Sequence, residues 1–574
     1  MVINLFLALS GFPLVLVAII AFIIIIGVII TVHELGHLFF AKKSGILCHE
    51  FSIGMGPVIF KHQFKETLFC IRAIPIGGYV SMAGEESLDG IIKFNDNIGL
   101  NLEDGKVSEI ILDEKKEAQI RGNVIEYDIE GKGDNKLHIS IKTEFQTEYY
   151  EIQDDAFLIF NKGKRHQIEP YNRTFDAQSK WKRFITLFAG AMNNFLLAIF
   201  LYIIISFATG VPNYESNEIG EVSYTDAYDL PAYKAGLLAG DKIIEVSGNA
   251  VTNWNEFQEE LEKIYSKDQT TISLKVLRDD TEKSFTIEAY TYITSIGLSN
   301  IGASNYGLTT IDIGGNKVSG LEVGEVAVRY KETPNTSIKK GDILVGLSVY
   351  YDDTDKALGN VDFEKKEITS WSELITIFKD ITSASKIKFA YYSLNDDKSY
   401  TYIDYDASGL AEPYTDEVLT NQRIDKIQQK IGISPSMHFS FFGCLGNAFV
   451  SFGDDFTLIF RTLKLLIAPS GVRQVGVKNL SSFVGIFSMV ESYINSGFLA
   501  LLGLTAMLSV NIGVVNLLPI PALDGGRIVF LLVEAITKKK PSKKVENIIN
   551  NIFFVLILIL FVYVTVNDII RLVK

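Results

Sequence analysis

The feature that most constrains this chain is the run from residue 13 to 41, which opens PLVLVAIIAFIIIIGVIITV and carries His33, Glu34 and His37 before it ends. A helix needs about 20 mostly apolar residues to cross a hydrocarbon core of roughly 30 Å. Residues 13–41 meet that length, so ionisable side chains are predicted inside a membrane span. There they are costly and mark function by default. A cleavable signal peptide is the rival reading, but no basic residue precedes the run and its apolar stretch is too long. Further spans are predicted within 184–209, within 481–526 and within 545–572.

Basic flanks orient these spans, because cytoplasmic ends collect Lys and Arg. Lys42 and Lys43 follow the first; Lys180, Lys182 and Arg183 precede the second; Lys538, Lys539, Lys540, Lys543 and Lys544 precede the fourth. All three signals put the N-terminus outside, residues 42–183 inside and the segment between the second and third spans outside. Arg571 and Lys574 run mildly against this. The expected architecture is a multi-pass α-helical membrane protein with four transmembrane helices. A membrane-associated β-hairpin region follows at 46–86, where apolar and polar residues alternate with Gly at the bends, and a strand-patterned cytoplasmic insertion at 87–178.

Residues 33–37 read His-Glu-Leu-Gly-His. Imidazoles at i and i+4 share one helix face and can reach one tetrahedral zinc, while Glu34 contacts the water in the fourth position. Such a metal lowers the pKa of its water and polarises a scissile carbonyl, and the carboxylate moves the proton. A catalytic zinc usually takes three protein ligands. A third donor must lie near the cytoplasmic end of a span, since His33 sits nine residues before Lys42. Asp524, in NLLPIPALDGG at 516–526, lies at that depth; its bland alternative is a helix cap for the stretch that follows. His49, His62, His138, His166 and His438 fall in polar segments and read as ordinary surface or packing residues.

A formal net charge of −14 argues against nucleic acid as a partner, because phosphate binding needs a basic face. Cys48, Cys70 and Cys444 have neither metal-motif spacing nor a disulfide framework, and are expected as buried fillers.

HELGH at 33–37, FSIGMGP at 51–57, IPIGGYVSMAGEE at 74–86, LFAGAMNNFLLA at 187–198 and NLLPIPALDGG at 516–526 together resemble the site-2 protease family, bacterial M50-type intramembrane zinc metalloproteases. The resemblance implies one zinc per chain on His33, His37 and Asp524, with Glu34 as acid–base. It makes Gly190 and Asn194 the small-residue and Asn motif of the second span, and Asn194, Asn511 and Asn516 residues that handle substrate. A substrate helix must unwind before a peptide bond can be cut, and side-chain amides can take its freed backbone groups. Ordinary interhelical hydrogen bonding is the simpler role for these asparagines. Gly190-Ala191 departs from the Gly-Pro frequent in the family. The family's hairpin dips into the membrane and clamps extended substrate by strand addition; a small cytoplasmic hairpin packed on the spans is the alternative here.

Residues 212–298 resemble the circularly permuted PDZ fold of bacterial proteases, and 299–412 a weaker copy. Gly341-Asp342-Ile343-Leu344 answers Gly240-Asp241-Lys242-Ile243, Trp371 answers Trp254, and IGLS at 296–299 recurs as IGIS at 431–434, with an insertion around Tyr350 to Lys366. These tandem extracytoplasmic PDZ (α+β) domains would take peptide ligands or act as a size filter. Residues 413–480 are expected as a linker with an interfacial amphipathic helix. The implied activity is intramembrane hydrolysis of a single-pass membrane protein, such as an anti-sigma factor or a remnant signal peptide, in a bacterial cytoplasmic membrane with the lipid bilayer around the site. The competing readings are a non-catalytic PDZ-containing scaffold with structural zinc and a zinc transporter. The intact Glu34 disfavours the scaffold, and ligands clustered at one depth disfavour the transporter.

Overall fold

Among the residues described by the computed structural model, four helices are long and apolar enough to cross a membrane: Pro13–Lys43, Lys180–Thr209, Phe498–Leu517 and Lys544–Ile570. The described residues are 12–84, 91–113, 115–131, 136–143, 146–160, 165–223, 229–294, 296–324, 326, 338–350, 364–380, 386–405, 425–467 and 480–573. Glu85 and Glu86, the expected insertion at 351–363, and residues 413–424 and 468–479 of the expected linker lie outside them. The chain divides into two units, one of residues 1–205, 446–459 and 480–574, the other of 206–445 and 460–479.

In the first unit, the first span packs Ala18, Ile25 and Ile29 against Val490 and Ile494 of a short helix, Phe483–Asn495, and against Leu501, Leu504 and Leu508 of the third span. The fourth span buries only 6% of its apolar window, so nearly all of that surface is left for lipid. It is tied at one end by Asp568, which accepts from the backbone N–H and the hydroxyl of Ser482 at 2.6 and 2.7 Å. This bond satisfies a donor at the start of the Phe483 helix that water cannot reach.

After the first span come β1 (Cys48–Phe64) and β2 (Thr67–Met82). Residues Glu50–Ile53 pair with Gly78–Ser81 on one side and with Leu68–Ile71 on the other, while Val58–Phe64 fold back on Thr67–Arg72. Arg72 pins the sheet through Ser52, Gly56 O, Glu50 and Tyr79, all within 2.9 Å. At the turn, Ile59, Phe60 and Phe64 are exposed and form an apolar tip.

The strand-patterned insertion is a small barrel of β3 (Asn97–Glu103), β4 (Lys106–Ile111), β5 (Ile120–Asp128), β6 (His138–Lys142), β7 (Thr147–Ile159) and β8 (Arg165–Gln167). Its order is β4-β3-β5-β6-β7-β8, and a further β4–β7 pairing closes the ring over Leu100, Ile110, Val124, Ile139 and Leu158. Closure removes most of the exposed strand edge.

The second unit contains a structural repeat. In the first copy a strand, Lys242–Val246, pairs with a short strand at Asn249–Ala250; then a helix, Trp254–Ser266, leads to strands Thr271–Arg278 and Thr281–Glu288. The second copy repeats this as Ile343–Tyr350, Glu364–Glu367, Trp371–Asp380, Lys386–Leu394 and Tyr400–Ile403, with the same pairings. Correspondence reaches single bonds. Thr252 N–H donates to Glu256 and Thr369 N–H to Glu373 at the two helix starts. Asp241 and Asp342, buried, accept from the N–H three residues earlier, on Leu238 and Lys339. Trp254 and Trp371 are both buried in their cores.

The copies are interleaved rather than strung in series. Ile296 and Leu298, from the IGLS that follows the first copy, pack into the core of the second. Ile431, from the IGIS that follows the second copy, packs into the core of the first, and Ile433–Pro435 pairs with Ile219–Val222. Residues 427–438, expected as linker, instead supply three strands. The helix expected after them runs Phe441–Ile467. The three cysteines are buried and none is in a disulfide.

Interleaving makes a crossed prediction. Leu298→Ala should cost about 2–5 kcal/mol and speed hydrogen exchange in 343–350 and 386–394 of the second copy. Strand 242–246 of the first copy should keep its protection; equal loss in both copies would contradict the interleaving.

Candidate metal centre

Helical spacing stacks His33 and His37 one turn apart on the first span, with ring centroids 4.8 Å apart. Their Nε2 atoms lie 3.2 Å apart, and Asp524 Oδ2 lies 3.2 Å from each. The three donors therefore make a nearly equilateral triangle. Around a metal bound at about 2.0–2.1 Å, two tetrahedral donors stand about 3.3–3.4 Å apart, so this triangle has the size of one face of such a site.

The opposite ring atoms show how the two imidazoles are oriented. His37 Nδ1 lies 2.8 Å from Thr186 O, an acceptor only, so Nδ1 carries the proton. His33 Nδ1 lies 3.3 Å from the side-chain amide of Asn194, whose Oδ1 is otherwise buried without a partner. With that amide turned by 180°, His33 Nδ1–H donates to Oδ1 and Nε2 is left with its lone pair. In that tautomer both Nε2 atoms present lone pairs beside a carboxylate oxygen, the donor set that a positive ion takes, and the Nδ1 bonds orient both rings toward it.

Close helix approach makes the centre. A Cβ at Gly190 would stand 2.3 Å from His37 Nε2 and 2.7 Å from His33 Nε2, so only glycine leaves the donors room. A Cβ at Gly36 would stand 2.4 Å from Ala189 O, so the second glycine lets the first two spans touch. The signal for this role in the sequence is a glycine inside a helix, where it is about 1 kcal/mol worse than alanine. Asp524 is the first residue of the helix Asp524–Thr537, whose cap residue is Leu523 without a side-chain bond. Its carboxylate goes to the histidines instead of capping. A Cβ at Gly525 would meet Leu518 O at 2.1 Å, so the turn closes only with glycine there. Arg183, partly buried, anchors the same helix by pairing with the buried Glu534 at 2.8 Å, and Lys180 donates to Glu534 O.

Glu34 is 9% exposed, and a Cβ at Gly78 would lie 3.0 Å from its Cγ, so the inner edge of the β1–β2 sheet runs beside it. Asn516 Nδ2 lies 3.3 Å from His33 Nε2 and borders the triangle. Asn511, half-buried on the same helix, is turned about 140° away by its five-residue offset. Asn194, expected to handle substrate, is fully buried behind His33.

A carboxylate beside two helical imidazoles and a third anionic donor, all among apolar helices, defines a metallohydrolase centre in a membrane protein. The chain belongs to peptidase family M50, whose model matches residues 21–560. It is similar to a zinc metalloprotease, provisionally so named, of Staphylococcus aureus strain N315, 30% identical over 559 residues that cover 97% of this chain and 99% of that one. Zinc metalloprotease RasP of Oceanobacillus iheyensis is 29% identical over 565 residues, covering 96% and 99%. RasP of Geobacillus kaustophilus is 27% identical over 557 residues, covering 96% and 97%.

Two substitutions probe the packing. Gly190→Ala should empty the centre of metal, measured on purified protein, with helical content unchanged by circular dichroism. Asn194→Leu should weaken metal affinity about 10–100-fold in chelator competition; unchanged affinity would remove Asn194 from the support of His33.

Proposed function

We propose that this protein is a zinc-dependent intramembrane endopeptidase of the site-2 type, which hydrolyses a peptide bond within the transmembrane segment of a single-pass membrane protein. The observation that carries the proposal is the cation-sized triangle of His33, His37 and Asp524 beside buried Glu34. The zinc metalloprotease names of relatives that align along nearly their full length support it.

His33, His37 and Asp524 would hold the ion. Bound zinc supplies a Lewis acid for the scissile carbonyl and acidifies a water. Glu34 takes the proton of the attacking water and returns it to the leaving amine, both within reach of one carboxylate. Its low exposure raises the strength of each electrostatic contact there. Asn516, at the edge of the triangle, offers an amide to a backbone freed by unwinding, which lipid cannot satisfy. The nearby edge of the β1–β2 sheet would align an extended segment through backbone bonds, and its apolar tip suits the membrane interface.

The lysine and arginine flanks support an N-terminus and a repeat unit outside the cytoplasm, with the centre near the cytoplasmic side. The repeats read as tandem PDZ-like domains that bind peptide ends or exclude bulky substrates. Anti-sigma factors and signal-peptide remnants are the substrate classes proposed, in a bacterial cytoplasmic membrane.

Reconstituted with a generic transmembrane substrate, the protein should cleave it and lose activity to a chelator. Glu34→Gln should lower the rate by about 10²–10⁴ while retaining zinc. Undiminished cleavage by that variant would sink the mechanism, and zinc without any cleavage in the native protein would favour a scaffold.

A further inference from the structure

We propose that His49, His166 and Glu169 form a second divalent-metal site, separate from the His33–His37–Asp524 centre, which takes a zinc-class transition ion and fastens the inserted barrel to the β1–β2 sheet. Two of the five histidines outside HELGH converge here. Glu169 Oε1 lies 2.8 Å from His49 Nε2 and 3.3 Å from His166 Nε2, and all three donor atoms lie within 4.8 Å of one another. The two rings are 4.9 Å apart, tilted by 41°.

The donors come from separate pieces of chain whose backbones are already tied. His49 is in β1, and His166 is in β8 of the barrel, where it pairs with Leu158. Between them run Leu47 N–H to Arg173 O at 2.9 Å, Ala83 N–H to Leu47 O at 2.9 Å and Phe175 N–H to Ala83 O at 2.8 Å. Gly84 N–H donates to Glu169 Oε2 at 2.7 Å, which holds that oxygen and turns Oε1 toward the imidazoles. A carboxylate oriented through its outer oxygen is the arrangement that metal ligands show.

Two imidazole nitrogens and one carboxylate oxygen select a borderline ion such as zinc, cobalt or nickel over calcium or magnesium, which prefer all-oxygen shells. The side chains of His49 and His166 are 16% and 24% exposed, so water can complete the shell and an ion can enter. Binding would open the His49–Glu169 contact by roughly half an ångström to reach tetrahedral spacing. The competing state is a pure hydrogen-bond latch, in which both rings donate Nε2–H to Oε1.

Glu169→Gln separates the two, because a glutamine oxygen still accepts from neutral imidazoles but lacks the charge that favours an ion. The test uses the full chain in detergent, with the catalytic donors removed by His33→Ala and His37→Ala, titrated with Co²⁺ and Zn²⁺. The expected result is about one ion per chain, a Co²⁺ absorption band and a zinc-dependent rise in Tm. Adding Glu169→Gln should weaken binding at least about tenfold. No binding in the double variant, or binding that Glu169→Gln leaves unchanged, would overturn the proposal. Should the double variant fail to fold, metal content decides: about two ions per native chain falling to one in Glu169→Gln supports the site, and one ion in both overturns it.

Discussion

Everything in the membrane portion of this protein depends on bringing three lone-pair donors to one point in an apolar surrounding. His33 Nε2, His37 Nε2 and Asp524 Oδ2 stand 3.2 Å from one another, an arrangement in which two imidazoles and a carboxylate converge on one point with the spacing of metal donors. Polar groups gathered among apolar helices are costly unless partnered, so each donor of the centre needs support from its neighbours. Glycine at 36 and 190 lets the first two spans approach closely enough, and any larger residue at 190 would occupy the donors' own space.

Support radiates outward from this point. Thr186 O and the Asn194 amide hold the outer nitrogens of the two rings. Arg183 and Glu534 bind the helix of Asp524 to the start of the second span through their ion pair. Losing Arg183 would leave the buried Glu534 carboxylate without this pair, at a cost of about 3–5 kcal/mol, whereas Arg183 also has Asp176 at 3.7 Å. Phe195, next to Asn194, packs edge-on against Phe452 and Phe456 of the helix Phe441–Ile467, and Tyr202 donates to Asp455 of the same helix. The charges that suggested an interfacial helix thus include one used for a specific contact.

The water-exposed parts solve a different problem, which is how to stabilise small domains inserted between membrane helices. The barrel closes on itself, and the repeat copies exchange their IGLS and IGIS segments so that each core is completed by residues distant in the chain. Such exchange means that neither copy buries its full apolar surface with its own contiguous stretch of chain alone.

The sequence by itself determined the spans, the positions of basic flanks, the HELGH donors, Asp524 and the internal repeat. These depend on local patterns: apolar length, helical spacing and turn residues recur within a few positions of one another. Strand existence in the insertion was legible for the same reason. Only the tertiary structure decided that Asn194 backs His33, that Gly190 is the wall of the centre, that the repeats interleave, and that His49, His166 and Glu169 meet. Such contacts join residues as far apart as His33 and Asn194, separated by 161 positions, and His49 and Glu169, separated by 120. Nothing in the local periodicity of either segment records which distant side chain will lie against it; packing of the whole chain selects that partner.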